Sequence, residues 1–171
     1  LNQRQGLLQA VVFSGGEATL QPGLPLAMQQ VRELGFKVGL HTAGIKPAAL
    51  ERVLPLCDWI GFDVKAAQGQ VDGITQIIGS DAANWRSLDL LLASGVTYEC
   101  RTTVHWNLLQ PDDLRTLAKK LRQRGVRSFI VQPARDVKML TSDLGCQQQP
   151  VGLSELWQEL GAGFEHFAVR Y

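Results

Sequence analysis

The chain alternates short β-prone runs with amphipathic helical stretches, and that alternation restricts the fold more than any other feature. Leu8 to Phe13 is apolar and rich in β-branched residues, and it stops at Ser14-Gly15-Gly16. Pro25 to Leu34 follows with Leu26, Met28, Val31 and Leu34 at helical spacing, closed by Gly35. The pair then recurs. Strands are predicted over Phe36 to Leu40, Trp59 to Val64, Val96 to Val104, Ser128 to Gln132 and Phe164 to Arg170. Helices are predicted over Pro47 to Leu56, Asp81 to Ala93, Asp112 to Arg124 (with Asp112 as its cap) and Val151 to Leu160. Ala66 to Gly79 reads as a long loop or partly helical excursion, and the polar stretch Ala134 to Pro150 as mobile.

Strand, helix, strand in strict order implies parallel pairing with right-handed crossovers. The middle strands read as apolar runs with little alternation, as expected when both faces are covered. Two architectures remain: an open doubly wound sheet, or all or part of a (β/α) barrel. A closed eight-stranded barrel takes ~250 residues, and this chain has 171. The expectation is one domain over residues 1–171.

Lys plus Arg is 17 and Asp plus Glu is 16, a formal net charge of +1. That balance argues against nucleic acid or an anionic membrane surface as partner. Apolar residues at 45% and charged residues at 19% suit a globular core. No run approaches the ~20 apolar residues that span a bilayer. Cys57, Cys100 and Cys146 are too scattered for a disulfide framework or a metal cluster, which favours a reducing cytoplasm. Each reads as a small buried hydrophobe. The chain opens Leu1-Asn2-Gln3-Arg4-Gln5, without a secretory pattern and without Met, so an upstream segment is expected to have been removed or never included.

In either architecture ligands bind where strands end, and those ends are polar here. The first carries Ser14, Gly15, Gly16 and Glu17; the second His41, Thr42 and Gly44; the third Asp63 and Lys65. The fourth carries Arg101, Thr103 and His105, and the fifth Gln132. Paired glycines permit a tight turn and close approach of a ligand to the backbone, and Glu17 offers a carboxylate to an ammonium. Asp63 and Lys65 lie two apart on a strand and share a face. They form either a mutual salt bridge or a hold on a polar ligand. Arg101 pairs with Glu99 or Asp63, or fixes a ligand carboxylate. His41 and His105 read as satisfied rim residues, and no metal site is supported.

The stretch Ser14-Gly15-Gly16-Glu17 resembles the radical S-adenosylmethionine (radical SAM) superfamily. The likeness runs on through Leu40-His41-Thr42-Ala43-Gly44, Asp63-Val64-Lys65 and Arg101-Thr102-Thr103-Val104. Together these are similar to the activating enzymes of anaerobic ribonucleoside-triphosphate reductase, kin of the pyruvate formate-lyase activases. The resemblance implies an α/β fold, a partial (β/α)6 TIM-like barrel with its first strand missing. It implies that Gly15, Gly16 and Glu17 hold the methionine end of S-adenosylmethionine and that His41, Thr42, Gly44, Asp63 and Lys65 line its cavity. Arg101 would lie by the carboxylate or ribose and Gln132 near the adenine, with Thr103 also among the cofactor-binding residues. Family members cleave S-adenosylmethionine reductively at a [4Fe–4S] cluster, and the resulting radical takes a hydrogen atom from a glycine of the partner enzyme.

The family's Cys-x3-Cys-x2-Cys run is absent from these 171 residues, and Ala18 stands where Pro commonly follows the Glu. The chain is therefore expected to be a truncated activase, unable to bind the cluster and inactive alone, with no catalytic or metal-ligating residue of its own. Its implied partner is anaerobic ribonucleoside-triphosphate reductase, and self-association is expected through an exposed barrel edge. Two other readings stay open: a Schiff-base aldolase-type barrel using Lys65, and a non-catalytic scaffold for a nucleoside or protein.

Overall fold

A computed structural model of the chain describes Leu1, Arg4, residues 6–134 and residues 147–171. Cys146 and residues 135–146 of the polar stretch expected to be mobile lie outside the described residues. Six strands form one sheet: β1 (Ala10–Phe13), β2 (Lys37–Thr42), β3 (Trp59–Asp63), β4 (Thr97–Val104), β5 (Ser128–Pro133) and β6 (His166–Val169). Every pairing is parallel and the order is β1-β2-β3-β4-β5-β6. That order never reverses, so the doubly wound alternative, which needs a switch point, is excluded. The chain winds in one direction, as a partial barrel does.

The helices are α1 (Leu24–Glu33), α2 (Pro47–Val53), α3 (Val71–Thr75), α4 (Ser80–Ser94), α5 (Pro111–Gln123) and α6 (Leu153–Gly161). Pro sits in the first turn of α1, α2 and α5, where its missing N–H costs nothing. The α2 stretch tightens into a 3-10 turn at Leu54–Leu56, because Pro55 interrupts the helical ladder. The excursion after β3 contains the short α3. At α5 the expected cap is corrected. Gln110 is the cap residue, and Asp113 closes a capping box by accepting the Gln110 N–H at 2.9 Å, while Asp112 lies inside the first turn.

One core lies between the sheet and the helices. Leu40, Ile60, Phe62, Cys100, Val104, Phe129 and Val131 face it from the strands; Met28, Leu50, Trp85, Leu88, Leu114 and Leu117 face it from the helices. The opposite, inner face is different. It carries Gly39, His41, Trp59, Gly61, Asp63, Glu99 and Arg101, with registers Gly39↔Trp59, His41↔Gly61, Gly61↔Glu99 and Asp63↔Arg101. The expectation of apolar strands covered on both faces is therefore corrected: one face is helix-packed and the other is polar and glycine-bearing. The glycines have a packing reason. A Cβ on Gly61 would lie 2.8 Å from Cζ of Arg101 and 2.8 Å from the Trp59 ring, so only glycine leaves room for the guanidinium.

Candidate functional site

The first four strand ends converge on a cavity of about 410 Å³ lined by Ser14, Gly15, Gly16, Glu17, His41, Thr42, Ala43, Ile45, Asp63, Lys65 and Arg101. That size lies within the roughly 300–1,000 Å³ of small-molecule sites. Gly15 (φ +101°) and Gly16 (φ +50°) take left-handed backbone, and a Cβ on either would meet open space. The two glycines thus make the turn and expose its backbone to the cavity.

Glu17 is tied inward. Its Oε1 accepts from the Thr19 hydroxyl at 2.6 Å and the Thr42 hydroxyl at 2.5 Å, and its Oε2 accepts from Ala43 N at 2.8 Å. Thr19 N lies 3.3 Å from Oε1 and completes the cap of the following 3-10 turn. The carboxylate therefore joins the end of β1 to the loop after β2, with its acceptor sites largely taken by protein donors.

Asp63 is the second hub. Its Oδ1 accepts from Arg101 Nη2 at 2.8 Å and Nε at 3.0 Å, and its Oδ2 from Lys65 Nζ at 3.3 Å. Arg101, 9% exposed, also donates to Gly61 O at 3.3 Å and faces His41 Nε2 at 3.1 Å. A mostly buried cation is tolerable because nearly all its donors are met. Glu99 is not its partner. Glu99 instead holds Arg170 in a two-pronged pair at 2.7 Å and 2.7 Å. Burial, then the Arg101 charge, lowers the pKa of His41 below its ordinary value, against the pull of Asp63 and Glu99.

Three expected site residues are not brought to this cavity. Gly44 is buried with φ +63°, and a Cβ there would lie 2.4 Å from Cβ of Ser87; its role is packing. Thr103 is exposed beyond the cavity wall, and Gln132, its register partner, lies at the end of β5. His105 is 5% exposed with its Nε2 unpaired, so the expectation of a satisfied rim histidine is corrected.

Two positioning residues escaped the sequence reading. Asn84, 1% exposed on α4, donates to Ala43 O at 2.7 Å and to Asp63 O at 2.9 Å, fastening two strand ends together. One turn on, the Ser87 hydroxyl donates to Gly44 O at 2.6 Å. The available signal was two polar residues within the buried Asn84, Ser87, Leu88, Leu91 stripe of a helix.

The cavity's chemistry suits a zwitterion. It sets an ammonium and a guanidinium edge, on carboxylates already engaged by protein donors, beside exposed turn backbone, which fits the amino-acid end of S-adenosylmethionine. Cys57 and Cys100 do not fit a [4Fe–4S] cluster. Cys57 and Cys100 are buried free thiols on different elements. Burial pushes Cys57 up to about 12 and Cys100 higher still. Among the described residues no group of three His, Cys, Asp or Glu could hold a metal ion.

A protein of Methanocaldococcus jannaschii assigned as a glycyl-radical enzyme activating enzyme is 29% identical over 123 residues, 66% of this chain and 50% of that protein. A domain of pyruvate-formate lyase-activating enzyme from Bacteroides vulgatus superposes with a TM-score of 0.73 at 14% identity, covering 95% of this chain and 99% of that one. The first likeness is to a glycyl-radical enzyme activating protein, and the second, at 14% identity, shows a shared fold. Native anSMEcpe with bound AdoMet and Kp18Cys peptide shares the fold at a TM-score of 0.69 and 15% identity, over 95% of this chain and 50% of that one. The chain thus spans about half the length of the curated relative it matches. No family model matches it. Among the described residues, no helix is long and apolar enough to cross a membrane.

Proposed function

We propose that this chain carries the S-adenosylmethionine-binding wall of a radical SAM activase whose target is anaerobic ribonucleoside-triphosphate reductase, a glycyl radical enzyme of the cytoplasm. One observation carries the reading: Gly15-Gly16-Glu17, His41-Thr42-Ala43, Asp63, Lys65 and Arg101 converge from four strands on one cavity. In this reading Gly15 and Gly16 present backbone to the ligand's amino-acid end, while Glu17 positions that turn. Lys65 and the free edge of Arg101 meet the carboxylate. When bound, S-adenosylmethionine supplies the adenosyl group that family members use for hydrogen abstraction. Calorimetry on the purified chain tests the reading. Saturable heat with S-adenosylmethionine is expected, and no heat with no thermal shift would favour the scaffold alternative.

The cluster chemistry of the family finds no ligand set among the described residues. The 171-residue chain alone, reconstituted anaerobically with iron and sulfide, is therefore expected to hold no stable four-iron cluster and to leave S-adenosylmethionine intact. A stoichiometric cluster with turnover would overturn that. The aldolase-type alternative is disfavoured by the Lys65–Asp63 pair at 3.3 Å, because an ammonium held on a carboxylate has no lone pair for carbonyl attack. Borohydride trapping of a carbonyl compound on Lys65 would revive it.

A further inference from the structure

His41 lines the cavity, yet its role cannot be that of a cation or a proton donor from both ring nitrogens. Arg101 Nη1 lies 3.1 Å from His41 Nε2. A guanidinium has five N–H donors and no acceptor, so Nε2 must accept. A neutral imidazole that accepts at one nitrogen carries its proton on the other. Arg101 cannot turn away, because Asp63 Oδ1 takes its Nε and Nη2 and Gly61 O takes a further Nη2 proton. Gly61 itself leaves the space in which the guanidinium lies. The ring also packs against Trp59 in an edge-to-face arrangement, centroids 5.5 Å apart. The charged groups that face it are Arg101 and Glu99 from β4 and Asp63 from β3. Nδ1 has no protein partner among the described residues, and it is not a buried unpaired atom.

We propose that Arg101 locks His41 as the neutral Nδ1–H tautomer, and that this N–H donates to an acceptor oxygen of the ligand, beside Lys65 and the free edge of Arg101. The inference rests on the S-adenosylmethionine reading of the cavity and deepens it. The oxygen is a carboxylate or a ribose hydroxyl, both acceptors of one N–H. Asp63 and Arg101 thus act on the ligand partly through a residue whose protonation they fix. His41 is the point of contact.

The test uses the chain labelled with 15N at histidine. Long-range 1H–15N spectra should show the His41 ring protonated at Nδ1 and bare at Nε2 near neutral pH. S-adenosylmethionine should then shift the Nδ1 resonance. Methionine, which has only the carboxylate, and methylthioadenosine, which has only the ribose, identify the oxygen by whichever one reproduces the shift. Asn places its amide nitrogen where Nδ1 stands and Gln places it where Nε2 stands. His41→Asn should accordingly keep affinity within about threefold, while His41→Gln loses about tenfold or more. An Nε2–H tautomer with ligand binding intact overturns the inference and leaves the proposed function standing. An Nδ1–H tautomer with no binding of S-adenosylmethionine overturns the ligand reading, and the donor role with it. Equal loss in the Asn and Gln variants, both folded, also sinks the donor role.

Discussion

The Thr42 hydroxyl donates to Glu17 Oε1 across 2.5 Å, joining the last residue of β2 to the turn that follows β1. Ala43 N closes the same join onto Oε2 at 2.8 Å. The Gly-Gly-Glu turn therefore owes its shape to the strand beside it as much as to its own sequence. Glu17→Gln puts a donor where one of these oxygens accepts, leaving a buried hydroxyl or N–H without its partner. The expected cost is about 1–3 kcal/mol in chemical denaturation. A melt identical to wild type would show that the join contributes nothing.

Stability should fall on mild acidification. His41 has a folded pKa below its ordinary 6.5, so the unfolded chain takes up its proton first as pH drops. Its contribution is present above about pH 6.5 and is lost as pH falls from there toward the depressed folded value. Thermal melts between pH 7.5 and 5 should show the decline, and His41→Asn should flatten this part of it. An unchanged slope in the variant would place the effect elsewhere.

Gly61→Ala tests the space behind Arg101. The added methyl would stand 2.8 Å from the guanidinium carbon and 2.8 Å from the Trp59 ring. Either must move, and overpacking of this kind costs about 1–3 kcal/mol. Affinity for S-adenosylmethionine should fall together with stability, because the displaced Arg101 releases both Asp63 and His41. Full affinity in the variant would mean that the guanidinium position does not matter to the ligand.

The two outer strands set the solution behaviour. Among the described residues, β1 and β6 are each paired on one side only. Leu8, just before β1, and Val12, within it, are 47% and 46% exposed. Unpaired backbone beside apolar side chains is a template for further strand addition. The isolated chain should gain mass with concentration in light scattering, and Val12→Lys should reduce the gain. A clean monomer at high concentration would contradict the prediction.

Much of this architecture was legible because parallel strands and amphipathic helices leave separate periodicities. The stops at Gly35, Gly95 and Gly125, all with positive φ, marked the helix ends well. The inner face was not legible. Gly39 and Gly61 sit where an inward polar residue would have revealed the alternation, so β2 and β3 read as apolar runs with little alternation. The strand-end motifs identified the cavity wall, since each stands where a strand must release the chain. The sequence reading could not tell that Glu17 turns toward Thr42 and Ala43, or that Asp63 serves Arg101 and Lys65 together. Except for Lys65, which is next but one to Asp63, those partners are far along the chain and are brought close only by sheet register. Asn84 was hidden for a related reason: on a helix, a buried amide looks like an ordinary interruption of the apolar stripe.

The sequential strand order has a further consequence, for how such a chain is made. Winding order and synthesis order coincide, so each strand emerges to find its partner already laid down. No strand has to wait for a later one to be inserted between it and its neighbour. Contacts between distant parts of the chain are replaced by steps of one strand and one helix, which keeps loop-closure costs small. The binding wall is then complete once the fourth strand is in place. The candidate cavity belongs to the part of the molecule that can be finished first.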